Sequence, residues 1–366
     1  MIDLIKNEDS MEKEKKSKIK KILVNLIIFI LLIILTFSLV LKDQDVSQIF
    51  SVAAKVKKQY ILFAVLAMSI YILGEAVNIT RILKELGEKS KLISNIRYTL
   101  IGFFFSAITP AASGGQPMEI YYMHKDDISV ANSTLALLMQ LCSLQIVTIT
   151  VGIISAVIHF DVLKSGLIYL LILGIFLNSS ALMLLVIAIF SKRLSEGLIK
   201  FVVKLLKFFR IPNVEKKQEK LEKELESYQT SAKYIKEHKI LMLKTVLTTV
   251  VQMIAYYSVP YWIYLSFGLT EHSIFEILTL QAVLYATVSG LPSPGSVGVS
   301  EGGFLGIFRN SFPETIISSA MLLTRGANFY LFIIISAIIV MISTFRDRRE
   351  EKKQKSQNEE IIEKAE

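Results

Sequence analysis

Two carboxylates, Glu119 and Glu301, and one guanidinium, Arg325, stand in stretches otherwise apolar enough to lie in a bilayer. A charge at that depth is costly, so it marks either a site or a buried partner. Each glutamate follows a proline by nine positions. The first stretch runs Thr109-Pro110-Ala111-Ala112-Ser113-Gly114-Gly115-Gln116-Pro117-Met118-Glu119. The second runs Leu291-Pro292-Ser293-Pro294-Gly295-Ser296-Val297-Gly298-Val299-Ser300-Glu301. Pro and Gly at membrane depth free backbone groups, which is tolerated where the chain is buried in protein or lines a wet cavity. Glu119 and Glu301 could hold an amine or exchange a proton; the competing reading is that each caps local backbone or sits at the interface. Arg325 could grip a phosphate bidentately or serve as structural counter-charge to either glutamate. The amides around Ser113, Gly114, Gly115, Gln116, Gly295 and Gly298 could cradle an anion at a half-helix start, against the alternative of tight turns without a ligand. Arg81 could reach lipid head-groups by snorkelling. Glu75 must face protein or water.

The elements that position these residues are membrane helices. The chain has 366 residues, 52% hydrophobic, with a net charge of +9 and a mean hydropathy of +0.52. That is too apolar for an ordinary soluble domain. The basic residues collect in blocks, which read as cytoplasmic flanks rather than a nucleic-acid surface. Cys142 is the single cysteine and cannot form an intrachain disulfide. His124, His159, His238 and His272 lack metal-ligand spacing, so no metal and no cofactor is expected. Phosphate-binding and dinucleotide fingerprints are missing. Ser113 with His159 as a membrane serine-protease pair is disfavoured, because the topology puts them toward opposite faces.

Residues 1–21 form a basic cytoplasmic N-terminus. Apolar runs predict about six spanning helices: 22–41, 60–80, 130–160, 167–190, 241–265 and 314–341. Each reaches the roughly 20 residues that a bilayer requires. A basic amphipathic stretch and then a charged helix occupy 191–239, a cytoplasmic segment within the second half. A charged cytoplasmic tail follows at 346–366. With the N-terminus inside, the basic segments at 81–97 and 191–239 and the basic tail must also lie inside. The regions 98–123 and 274–307 must therefore each begin and end on one face. They read as two re-entrant hairpins entering from opposite sides. A shift of 182 residues carries Pro110 onto Pro292 and Glu119 onto Glu301, so the halves, about 22–160 and 167–341, read as an inverted repeat. The expected fold is an all-α polytopic membrane protein.

The two loop motifs and Arg325 resemble the lysylphosphatidylglycerol synthase transmembrane family, the flippase-like membrane part of the multiple peptide resistance factor, over about residues 20–345. The resemblance implies a bacterial inner-membrane protein that moves lysyl-phosphatidylglycerol, or a related charged phospholipid, between leaflets and so contributes to resistance against cationic peptides. The family name also implies an alternative, lysyl transfer from tRNA to phosphatidylglycerol. The chain ends about twenty residues after its last span, without the soluble transferase domain of full-length members, so that activity is not expected of this chain alone. A flippase for another glycolipid or polyprenyl-linked lipid is a further alternative. Expected partners are the phospholipid, the bilayer, a separately encoded synthase and a second copy of the chain; nucleic acid enters only as tRNA, if synthase activity is real.

Overall fold

In a computed structural model, residues 51–346 are described except 110–111, 160–166, 292 and most of 192–213. The expected first span, the basic stretch before residue 214 and the C-terminal tail lie outside the described residues. The described chain is helical. α1 is Lys58–Glu85, α2 Leu92–Ala107, α3 Gly115–Lys125, α4 Val130–Ile158, α5 Leu167–Phe190, α6 Val214–Glu237, α7 Lys239–Ser266, α8 Ile274–Val288 and α9 Val299–Ile307. α10 runs Glu314–Arg346, with a π-helical turn at Gly326–Tyr330. Five of these helices, α1, α4, α5, α7 and α10, are long and apolar enough to cross a bilayer. They match the five expected spans that fall within the described residues.

Backbone and side-chain ties define two ends of the bundle. At one end the Lys57 N–H donates to the Ser266 carbonyl at 2.9 Å, joining the start of α1 to the finish of α7. The His272 N–H donates to the Tyr264 hydroxyl, and Tyr264 packs edge-on against Phe312, which follows α9. His159, capping α4, bonds Thr279 near the start of α8 at 2.6 Å. At the other end, Glu88 accepts from the Ser129 N–H and the Asn132 amide, where α4 begins. α1 and α7 run antiparallel over 28 residues each, so the two ends are separated by about 42 Å of helix at 1.5 Å per residue.

α2 and α3 double back on themselves. Arg97 and the Tyr98 hydroxyl, near the start of α2, both bond Asp126 just after α3. Arg346, finishing α10, reaches the same carboxylate at 3.2 Å. α8 and α9 double back likewise at the opposite end, since His272 and Phe312 both meet Tyr264. Serines cap the helices that start there: Ser129 on α4 and Ser273 on α8 accept from the N–H three residues on, the usual means of satisfying an orphan helix donor.

Each doubled segment is wrapped in its own apolar core. Ile79, Leu83, Ile101, Met123 and Leu135 pack around α2 and α3. Ile263, Ile277, Leu284, Phe304 and Phe308 pack around α8 and α9. Outward residues such as Phe63, Val157, Phe176 and Val251 are exposed and apolar, as a lipid-facing surface requires. Helices in lipid gain little from burying apolar area, so close packing and polar contacts must hold them. The Asn78 amide, for instance, bonds Gln140 at 2.8 Å and Thr249 at 3.0 Å, tying α1 to α4 and α7.

Asp126 gathers three of these ties. Asp126→Ala is expected to cost about 1–2 kcal/mol, less than a fully buried charge-assisted network would, because Arg97, Asp126 and Arg346 are 18%, 27% and 49% exposed. Thermal denaturation in detergent checks this. The gap between wild type and variant should narrow at high salt, since exposed pairs are screened.

Candidate functional site

The tips of the two doubled segments meet between the two apolar cores. Both tips break helix for a visible reason. At the first, the Thr109 hydroxyl accepts from the Gly114 N–H at 2.9 Å, and Ala112 adopts a left-handed conformation, φ 54°. At the second, Gly295, Ser296 and Gly298 have φ of 60°, 54° and 86°. Positive φ favours glycine, which fills two of these three positions, and α9 restarts at Val299.

A cavity of about 450 Å³ lies between the tips. Ala112, Ser113 and Gln116 line it from one side, and Ser293, Gly295 and Ser296 from the other. Glu75 of α1, Glu119 of α3 and Arg325 of α10 are the charged side chains on its wall among the described residues. Three tyrosines complete one side: Tyr71, Tyr256 and Tyr285. Tyr256 stacks obliquely on Tyr71 at 5.1 Å and edge-on to Tyr285 at 5.3 Å between ring centroids.

The two glutamates occupy different environments. Glu301 is fully buried and does not line the cavity. Its carboxylate accepts from the Gly298 N–H at 2.7 Å, from Arg325 Nε at 2.7 Å and from the Tyr330 hydroxyl at 3.1 Å. Arg325 in turn donates Nη2 to the Gly295 carbonyl at 3.1 Å and lies over the Phe329 ring at 4.0 Å. A guanidinium carries five N–H donors. The two bonds here fix its plane, and Arg325 lines the cavity. Glu301 thus positions Arg325, and Arg325 meets whatever enters.

Glu119 is 3% exposed, and its Oε2 has no hydrogen-bond partner. It packs against Gly102 of α2, where a Cβ would come within 2.0 Å of its Oε1. Glu75 of α1 lines the same cavity and is its electrostatic neighbour. The site therefore has a cationic pole at Arg325 and an anionic pole at Glu75 and Glu119.

The structure brings Ser113, Gln116, Glu119, Gly295 and Arg325 to one cavity. Gly114 caps α3, Gly115 starts it and Gly298 caps α9, each forming the tips without lining the cavity. Pro110 and Pro292 lie outside the described residues. Arg81 lies off the cavity: its guanidinium bonds Asn78 Oδ1 at 2.8 Å and the Lys244 carbonyl at 3.0 Å, bridging α1 to α7. Ser113 and His159 do not meet, since His159 is tied to Thr279 at one end of the bundle. Sequence reasoning left Glu75 without a role, although a charge in mid-helix signalled it. It missed the tyrosines and Asn328, because nothing in the spacing of Tyr71, Tyr256 and Tyr285 shows that three separate helices converge.

A bundle of long apolar helices around a charged internal cavity defines a multi-pass helical membrane protein. Residues 22–336 match the family of the lysylphosphatidylglycerol synthase TM region, and the chain belongs to that family. Comparison with curated proteins gives no match. Membership points to a function in membrane-lipid chemistry or handling.

Proposed function

We propose that this chain moves a phospholipid with a charged head-group between the leaflets, with lysyl-phosphatidylglycerol as the substrate class, and that the head-group passes through the cavity between the tips. The observation that carries the reading is that Arg325, Glu75 and Glu119 line one cavity. Phosphate would meet the guanidinium and an amine the carboxylates. The acyl chains would stay along the exposed apolar surface.

The same reading takes the two doubled segments as re-entrant hairpins from opposite faces, with the Asp126 end in the cytoplasm of a bacterial inner membrane. The element bounds support an inverted repeat. A shift of 182 moves the start of α2 from 92 to 274, where α8 begins, and the start of α1 from 58 to 240, against 239 for α7. It moves the start of α4 from 130 to 312, against 314 for α10. In this scheme the hairpins give one cavity alternating access.

Purified protein in liposomes containing lysyl-phosphatidylglycerol provides the test, with outer-leaflet amines labelled over time. Glu119→Gln should slow translocation by about tenfold or more, since a charge-assisted contact is worth roughly 1.5–3 kcal/mol and 1.4 kcal/mol is tenfold. Wild-type protein that leaves the leaflet distribution unchanged, relative to empty liposomes, sinks the proposal. Synthesis of the lipid from lysyl-tRNA and phosphatidylglycerol by the same preparation would instead establish the transferase alternative.

A further inference from the structure

The cavity wall carries more negative charge than positive. Arg325 is committed to Glu301 through Nε and to the Gly295 carbonyl through Nη2, so the buried pair is neutral as a unit. Glu75 and Glu119 remain, with no other Lys, Arg or His on the wall among the described residues. The titratable groups facing them are Tyr71 from α1, Tyr256 from α7 and Tyr285 from α8, with Arg325 from α10; α2 and α4 contribute only neutral side chains such as Thr99, Gln140 and Gln145. Two anionic carboxylates in one cavity at membrane depth repel each other and are costly to keep charged.

A second observation is independent of the glutamates. Asn328 Oδ1 has no partner, although Asn328 is 3% exposed and lines the same cavity. Glu119 Oε2 is likewise an acceptor without a donor. The hydroxyls of Thr99 and Ser293, on the same lining, are also unpartnered; a cation or a proton donor would satisfy the two acceptors. The converging tyrosine rings add π faces that attract positive charge.

We propose that Glu75 and Glu119 together hold one small monovalent cation, a proton or an alkali ion, while the cavity is empty, and that this cation leaves when a head-group ammonium arrives. Lysyl-phosphatidylglycerol brings two ammonium groups and one phosphate, a net single positive charge, so the departure of one cation keeps the charge of the site constant. It rests on the lipid-translocation reading and adds the ion that would couple to it. Release toward the face opposite to lipid entry would make the ion gradient a driving force.

The test begins with ligand-free protein in detergent. A protonated carboxylic acid C=O stretch in the infrared spectrum, or stoichiometric binding of radioactive sodium, is expected in wild type and should vanish in both Glu75→Gln and Glu119→Gln. Absence of both signals from folded wild-type protein overturns the proposal whether or not lipid moves. Lysyl-phosphatidylglycerol is then titrated in two buffers of different ionisation enthalpy, with sodium or choline as the salt cation. Proton exchange gives a buffer-dependent heat corresponding to about one proton released per lipid bound. Alkali exchange gives a roughly tenfold weaker apparent affinity for each tenfold rise in sodium above saturation, and no such effect of choline. Lipid binding with neither signature overturns the exchange while leaving lipid translocation standing. Translocation that fails while the ligand-free protein carries its cation sinks the functional reading and leaves the cation site.

Discussion

Arg325→Ala should destabilise the protein by about 3–5 kcal/mol, because removing one partner of a buried ion pair leaves the other charge uncompensated. Glu301 is fully buried, and its carboxylate would keep only the Gly298 N–H and the Tyr330 hydroxyl. The Phe329 ring would also lose the guanidinium stacked 4.0 Å above it. Denaturation of the purified variant in mild detergent measures the loss. Glu301→Gln combined with Arg325→Met should recover much of it, since a neutral pair leaves no stranded charge. That double variant should still fail to translocate lipid, because the cationic pole of the cavity is gone. A double variant that recovers both stability and transport would remove Arg325 from the site. A single variant as stable as wild type would mean that the Glu301 charge finds relief elsewhere.

Gly115→Val should cost about 1–3 kcal/mol, the range for overfilling a packed contact, and should impair transport more than stability alone explains. A Cβ at Gly115 would stand 2.0 Å from Ser106 Oγ and 2.9 Å from the Gly102 carbonyl. The hydroxyl could turn away; the backbone oxygen could not. α3 would have to move off α2. Glu119 lies one helical turn further along the same face of α3 and fills the space beside Gly102, so it would be carried out of the cavity with the helix. Gly302→Ala serves as the contrast. Gly302 is an exposed residue of α9 with nothing within 4 Å of a Cβ, so alanine there should be neutral or stabilise by up to about 1 kcal/mol through helix propensity. Equal losses from both variants in stability and transport would argue that the first doubled segment tolerates separation and that its close packing does not set the position of Glu119.

Much of the architecture is legible in the sequence alone. Spans around 60–80, 130–160, 167–190, 241–265 and 314–341 are apolar over the full width of a bilayer, and the helices α1, α4, α5, α7 and α10 lie there. The breaks at the two Pro/Gly stretches were equally plain, because proline and left-handed backbone interrupt a helix wherever it is packed. Arg325 stood out as a lone charge in an apolar run. Arg81 looked similar in sequence, yet it spans α1 and α7 away from the cavity; a charge near a helix end does not reveal which neighbour it will meet.

The sequence by itself determined that this protein is a helical membrane protein with two interrupted segments, each carrying a glutamate nine residues after a proline. Those properties are local: hydropathy, helix length and the backbone limits of Pro and Gly. Only the tertiary structure decided that the two glutamates differ. α3 begins at Gly115, so Glu119 is its fifth residue and turns toward the cavity and Glu75. α9 begins at Val299, so Glu301 is its third residue, close enough to its own first turn to take the Gly298 N–H and, from α10, Arg325. A two-residue difference in where a helix starts rotates a side chain by about 200°, at 3.6 residues per turn. Equal spacing from a proline cannot show that rotation, and neither can it show which of the other helices will bring a tyrosine, a carboxylate or a guanidinium to the same cavity.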